Sequence, residues 1–67
     1  MIVKRQDGKT CEIILPYKSG SMILGRDKDR EHLIHILGSY DTPNRASEVF
    51  RLLIGSNIST AYEMPLL

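Results

Sequence analysis

The side chains that could do chemistry in this chain are one thiol and two imidazoles: Cys11, His32 and His35. On a helix, the three-residue spacing of the histidines would place both on one face, where they could share a metal ion. On a strand, the same spacing places them on opposite faces, where they cannot chelate together. A zinc site needs three or four clustered ligands, and no carboxylate or thiolate pattern accompanies these imidazoles. The sequence therefore predicts two ordinary sheet histidines and no metal.

The sequence also contains no motif for catalysis or for cofactor binding. Cys11 would be a nucleophile only with a general base beside it, and a lone cysteine within a strand is typical of a small buried apolar residue. The glycines form no phosphate loop, since neither G-x-x-x-x-G-K-[ST] nor G-x-G-x-x-G occurs. The sequence predicts a protein that is not an enzyme, with no catalytic residue and no cofactor.

Length and charge narrow the class of protein. A chain of 67 residues makes one small domain with a marginal core, and a single cysteine excludes an internal disulfide, which leaves self-association as a source of stability. Nine Lys and Arg against eight Asp and Glu lack the basic excess of most nucleic-acid binders. No apolar run approaches a membrane span and no signal sequence is visible, so with a free thiol we expect a cytoplasmic protein.

The clearest element is a helix that begins after Thr42. Thr42 is a suitable N-cap, and Pro43 falls at the first helical position, where its missing N–H costs nothing. Gly55 is predicted to end the helix as a left-handed C-cap. Between them, four apolar side chains recur at helical spacing and form one stripe: Ala46, Val49, Phe50 and Leu53. Of these, Val49, Phe50 and Leu53 are predicted to carry the core.

Strand patterns precede the helix. Residues 1–6 and 10–15 flank Asp7-Gly8, a strong hairpin signal, and Pro16 is predicted to end the second strand or to mark an edge. Residues 22–24 indicate a third strand. Residues 31–37 indicate a fourth that leads into the helix, with a helical interpretation of 27–37 as the alternative.

These elements predict an α+β domain over residues 1–55. It would consist of a small antiparallel sheet of three or four strands followed by one C-terminal helix packed on it. Residues 56–67 are predicted to form a tail, either extended or docked on a partner, because they carry several apolar side chains without periodicity. A frayed terminus is the alternative.

Apolar residues exceed what one helix can cover. Ile34 and Ile36 share one face of the predicted fourth strand, opposite Leu33 and Leu37, so both faces of the sheet carry apolar side chains. Such a surplus on a small domain is typical of an interaction surface, and we predict a homodimer. The residues assigned to the protein interface are Leu52, Ile54, Ile58 and Tyr62.

A sheet-face DNA-binding protein is the alternative function, because a three- or four-stranded sheet can enter a groove. Acidic residues are interleaved with the basic ones and cancel their field, which favours a solvated face instead. The six residues that would contact nucleic acid are Lys4, Arg5, Lys9, Arg26, Lys28 and Arg30.

Two segments resemble small proteins carried by phages and prophages of Gram-positive bacteria. M-I-V-K-R-Q-D-G-K at 1–9 is similar to their opening strand followed by Q-D-x-K. L-G-S-Y-D-T-P-N-R-A-S-E-V at 37–49 is similar to their L-G-x-Y-x-T-x-x-R-A-x-E-V. The resemblance implies a phage or prophage accessory protein in the host cytoplasm. Because some small phage proteins block host defence systems, it also implies a host protein as the partner.

The corner at 37–42, leading into the helix, is also similar to small DNA-binding domains of the plant ethylene-response type and to arm-binding domains of tyrosine recombinases. Those domains read DNA with a three-stranded sheet rich in Arg and Trp, whereas this chain has no tryptophan. The likeness therefore implies shared architecture alone.

Overall fold

A computed structural model of the chain describes residues 1–56 and 61–67. Over these ranges the protein is a small α+β domain with a five-stranded mixed sheet and one helix. The sheet order is β4-β3-β2-β1-β5. β1 to β4 pair antiparallel in succession, and β5 pairs parallel with β1. The elements are β1 (Ile2–Lys4), β2 (Thr10–Ser19), β3 (Met22–Asp27), β4 (Ile34–Ser39), α1 (Pro43–Ile54) and β5 (Tyr62–Glu63).

The predicted fold, an antiparallel sheet of three or four strands with a C-terminal helix, is wrong. α1 lies in the middle of the chain, and the chain after it adds β5 beside β1. Val3 pairs with Tyr62, and the Met64 amide donates to the Lys4 carbonyl at 2.9 Å. A two-residue strand is too short to show alternation, so β5 leaves no strand pattern in the sequence.

The first hairpin is confirmed, but β1 covers Ile2–Lys4 and not residues 1–6, and β2 does not end at Pro16. Gly8 has the positive φ of 88° that the turn requires. Between Ile14 and Tyr17, β2 holds one more residue than β3, and Leu15 has a φ of 54°. Pro16 lies in this bulge, where the ladder is interrupted, so its missing N–H breaks no regular pairing.

The remaining strands begin or end away from their predicted bounds. β3 starts at the predicted Met22 but continues through Asp27. β4 covers Ile34–Ser39, because the residues before it form a turn in which the Leu33 amide donates to the Arg30 carbonyl at 3.0 Å. The helical alternative for this region is therefore wrong.

The start of α1 is confirmed, and Gly55 is its C-cap as predicted, but the predicted left-handed conformation of Gly55 is wrong. The Thr42 hydroxyl accepts from the Arg45 amide at 3.1 Å, and Pro43 is the first helical residue. Gly55 has a φ of −82°, which is right-handed. Its amide donates to the Arg51 carbonyl at 3.0 Å, so the helical bonding pattern continues into Gly55 and no left-handed cap forms.

The core lies between α1 and one face of the sheet, with α1 against β2 and β3. Phe50, predicted to be a core residue, is only partly buried and packs at the edge of the cluster. Gly25 is required for close packing, because a Cβ there would lie 2.6 Å from Ile13 Cδ1. Within residues 1–56 and 61–67, the buried apolar side chains that form the core are Val3, Ile13, Ile23, Leu37, Tyr40, Ala46, Val49, Leu53 and Met64.

Gln6 joins strands that are not neighbours in the sheet. Adjacent strands lie about 4.8 Å apart, so a flat sheet would hold β1 and β4 about 14 Å apart. Yet the Gln6 amide donates to the Leu37 carbonyl at 3.0 Å, and Gln6 Oε1 accepts from the Ser39 amide at 2.7 Å. Gln6 Nε2 also donates to the carbonyls of Pro65 at 3.0 Å and Leu66 at 3.2 Å. The sheet therefore curls around the core, and the Gln6 side chain ties both β4 and the C-terminal segment to the β1–β2 loop.

Candidate interaction surface

The structure places His35 in a hydrogen-bonded cluster with Arg5 and Asp27. Arg5 Nη1 lies 3.2 Å from His35 Nδ1, and His35 Nε2 lies 2.7 Å from Asp27 Oδ1. A guanidinium can only donate, so Nδ1 accepts, and the ring proton on Nε2 is donated to Asp27. Asp27 Oδ2 also accepts from the amides of Asp29 and Arg30, each at 3.0 Å. With both ring nitrogens engaged, His35 has none free for a metal or for proton abstraction.

The same hydrogen bonds stabilise the ionised form of Asp27. The bond from His35 and then the bond from the Asp29 amide hold the pKa of this carboxyl below its usual value. Arg5 is also ion-paired with Asp7, so its guanidinium charge is matched within the cluster. These hydrogen bonds give the cluster a structural role: they connect the β1–β2 loop to the β3–β4 turn.

Cys11 and His32, the other two side chains that could do chemistry, do not form a catalytic arrangement. Cys11 is half-buried on β2, and burial raises the pKa of its thiol, opposed by the nearby Arg5 charge. The thiolate is therefore disfavoured, which weakens Cys11 as a nucleophile. His32 is exposed in the turn before β4. No group of three or more metal-ligating side chains occurs within residues 1–56 and 61–67.

The face of the sheet opposite α1 carries a continuous apolar surface. Residues opposite one another in register share a face; Ile14 pairs with Arg26, which pairs with Ile34, while Tyr17 pairs with Leu24, which pairs with Ile36. Their neighbours Ile13 and Ile23 point the other way, into the core. We call this surface the outer face and define it by Ile14, Tyr17, Leu24, Arg26, Ile34 and Ile36.

Much of the apolar area on the outer face is open to solvent. The exposed fractions are 43% for Ile14, 44% for Tyr17, 40% for Ile34 and 54% for Ile36. Leu15, in the bulge beside them, is 64% exposed at its positive φ of 54°. A non-glycine residue there costs about 1–2 kcal/mol. Contiguous exposed apolar surface of this kind is typical of an interaction site.

Arg26 is the one charged member of the outer face. It lies between Ile14 and Ile34 in register and is exposed. Across residues 1–56 and 61–67 it takes part in no ion pair, whereas Lys28, next along the chain on the same side, lies 3.2 Å from Glu12. The outer face thus combines aliphatic side chains with one uncompensated guanidinium.

The predicted interface residues do not form one surface. Leu52 and Ile54 are exposed on α1, but residues two apart on a helix project to different sides. Tyr62 is half-buried in β5, packed against the core. Ile58 lies outside the described residues. The alternation of Ile34 and Ile36 in the sequence is the signal that indicates the outer face. It predicts surplus apolar surface, but neither isoleucine is among the predicted interface residues.

The six predicted nucleic-acid contacts also fail to form one basic stripe. Ion pairs engage three of them: Lys4 with Glu63, Arg5 with Asp7, and Lys28 with Glu12. The other three lie in separate places: Lys9 in the β1–β2 loop, Arg26 on the outer face and Arg30 in the β3–β4 turn. This distribution gives little support to binding along a phosphate backbone.

Comparison with known proteins gives no relative from which to assign a role. No family model, no curated protein and no solved structure matches the chain. The resemblance to phage-borne proteins therefore stays a prediction. Among the described residues, no helix is both long enough and apolar enough to cross a membrane.

Proposed function

We propose that this protein is a non-enzymatic protein-binding module and that the outer face is its binding surface. One observation carries the proposal: three isoleucines and a tyrosine, each 40–54% exposed, lie in register on a sheet face that no element of the described chain covers. Burial of apolar surface contributes about 25 cal/mol per Å². A protein partner that covers this face therefore gains free energy that the isolated domain leaves in water.

The surroundings of the outer face suit this role. Protein interfaces combine an apolar centre with a polar, solvated rim. Here the Glu12–Lys28 and Lys4–Glu63 pairs lie on the same side of the sheet, next to the apolar residues. Exposed pairs of this type contribute little to stability, but they keep the rim soluble and limit the orientations in which a partner docks.

The resemblance to phage-borne proteins indicates which partner to test first. On that ground we propose a host bacterial protein in the cytoplasm, and specifically a defence protein that this chain would inhibit by occupying it. The homodimer expected from the sequence stays a prediction, and sedimentation velocity of the purified protein tests it.

An affinity purification from a Gram-positive host lysate tests the proposed surface. Tagged wild-type protein, Ile36→Asp and Leu52→Asp are compared, each with and without nuclease, after thermal melts show that all three fold. Leu52 is the matched control because it is 59% exposed, close to the 54% of Ile36, but lies on α1. We expect a host protein that binds wild type and Leu52→Asp in the presence of nuclease and is lost with Ile36→Asp.

Three results would contradict the proposal. The first is a partner that Ile36→Asp still recovers, or that Leu52→Asp loses equally. The second is the recovery of no protein. The third is recovery that vanishes with nuclease, which would favour the DNA-binding alternative, and retention on DNA that weakens steeply with salt would then support that alternative.

A further inference from the structure

We infer that the outer face selects an acidic, apolar protein segment: aliphatic side chains beside an Asp or Glu whose carboxylate pairs with Arg26. This inference rests on the proposed function, because it concerns the same surface. It adds the chemistry of the partner and names Arg26 as the residue that determines specificity.

Because of its position in the register, Arg26 is covered by any partner that covers the isoleucines of the outer face. Ile14 and Ile34 are its cross-strand neighbours on either side, and both are about two-fifths exposed. A partner that buries the two isoleucines must also remove water from the guanidinium between them. A charge that is buried without a counter-charge is strongly unfavourable. The apolar contacts therefore become favourable only for a partner that also satisfies Arg26.

The two carboxylates that the strand register places on the same side of the sheet as Arg26 are already paired with lysines. On this side of the sheet, Glu12 Oε2 is 3.2 Å from Lys28 Nζ and Glu63 Oε1 is 3.8 Å from Lys4 Nζ. A second copy that approached through the same face would bring another Arg26, and these two carboxylates would have to leave their lysines to meet it. A foreign carboxylate carries no such cost, so the charges of the face favour a different protein over a second copy.

A phosphate could also pair with a guanidinium, since both anions accept its parallel N–H donors. The neighbours of Arg26 decide between them. Ile14, Ile34 and Ile36 would lie against the polar sugar-phosphate backbone of a nucleic acid and gain little from burial. An aliphatic and acidic peptide satisfies the guanidinium and the isoleucines together.

A random linear peptide library selected on the immobilised protein tests the inference. Wild type, Arg26→Glu and Ile36→Asp serve as separate baits, and all three are checked by thermal melts first. We expect wild type to enrich aliphatic peptides that contain Asp or Glu. These peptides should bind Arg26→Glu about tenfold or more weakly, bind Arg26→Lys with a smaller loss, and fail to bind Ile36→Asp. The Arg26→Glu bait should instead enrich peptides with Lys or Arg.

The outcomes separate the inference from the function on which it rests. Peptides that bind Ile36→Asp as tightly as wild type would overturn the proposed surface itself. Peptides that need Ile36 but carry no acidic residue, and bind Arg26→Glu unchanged, would overturn only the inference. Failure to select any peptide also counts against it. So would displacement of the peptides by a random-sequence DNA duplex, or sedimentation of a wild-type dimer that Ile36→Asp dissociates, because DNA or a second copy would then be the occupant.

Discussion

Both faces of this sheet carry isoleucines, but those on one face are buried and those on the other are exposed to solvent. Ile13 and Ile14 are neighbours on β2, yet Ile13 is 0% exposed and Ile14 is 43% exposed. Ile23 on β3 is buried like Ile13, and Ile36 on β4 is open like Ile14. Since adjacent strand residues point to opposite faces, the difference lies in what covers each face. A single twelve-residue helix covers one face, and no element of residues 1–56 and 61–67 covers the other.

The two sides of the sheet also differ in their polar contacts. The inner side is closed at one end by hydrogen bonds to main-chain groups, from Gln6 and from Tyr40, whose hydroxyl donates to the Pro65 carbonyl at 2.9 Å. Burial raises the pKa of the Tyr40 phenol. The outer face holds a guanidinium without a carboxylate in the described chain. Gln6 and Tyr40 on the inner side are thus hydrogen-bonded within the chain, whereas the guanidinium of Arg26 on the outer face has no such partner among the described residues.

Truncating the two adjacent isoleucines should give the largest difference between the faces. Ile13→Ala leaves a cavity in the core and should lower the free energy of unfolding by about 2–5 kcal/mol. Ile14→Ala removes an exposed side chain and should cost less than about 1 kcal/mol. Urea denaturation followed by circular dichroism measures both values.

If Ile13→Ala fails to fold, Ile13→Val still tests the assignment, with an expected loss of about 0.5–1.5 kcal/mol. Equal losses for Ile13→Ala and Ile14→Ala would show that both faces are covered in solution, which would contradict the exposed outer face.

Removing the Gln6 side chain should have the next largest effect. Gln6→Ala deprives the Ser39 amide and the Pro65 and Leu66 carbonyls of their side-chain partner, and should cost about 1–3 kcal/mol. Gln6→Met keeps a chain of similar length without the amide, so it should be no more stable than Gln6→Ala. Restored stability in Gln6→Met would mean that packing, and not hydrogen bonding, holds the sheet in its curled form. Chemical denaturation provides the measurement.

The smallest expected effect is on how the free energy of unfolding depends on pH under acidic conditions. Because the folded-state pKa of Asp27 is depressed, its contribution to stability is present above the unfolded carboxyl pKa of about 3.9 and is lost as the pH falls through the lower folded value. The free energy of unfolding of Asp27→Asn should therefore fall less than that of wild type between about pH 5 and pH 2. Asp29→Asn removes a carboxylate from the same turn without touching His35, and should follow wild type. A wild-type acid dependence in Asp27→Asn would rule out this role.

The parts that could be predicted from the sequence are those that local chemistry decides. Thr42 and Pro43 start α1 by contacts within one turn, and the positive φ of Gly8 belongs to its own hairpin. Pro16 misled the prediction of β2, because whether a missing N–H matters depends on the strand beside it. The interface residues on α1 stay a prediction: Leu52 and Ile54 are exposed, but residues two apart on a helix project to different sides, so the two do not form one surface.

By itself, the sequence determined the helix, the first hairpin and the presence of more apolar surface than one helix can cover. The helix and the hairpin depend on neighbours within a few residues, and the surplus of apolar surface follows from the number of apolar residues. Tertiary structure alone decided that β5 pairs with β1, that Gln6 reaches β4, and that Arg26 lies between two isoleucines of other strands. Each joins residues distant in the chain, such as Gln6 and Ser39. No local pattern encodes such contacts, because they form only when the curled sheet has closed over its core.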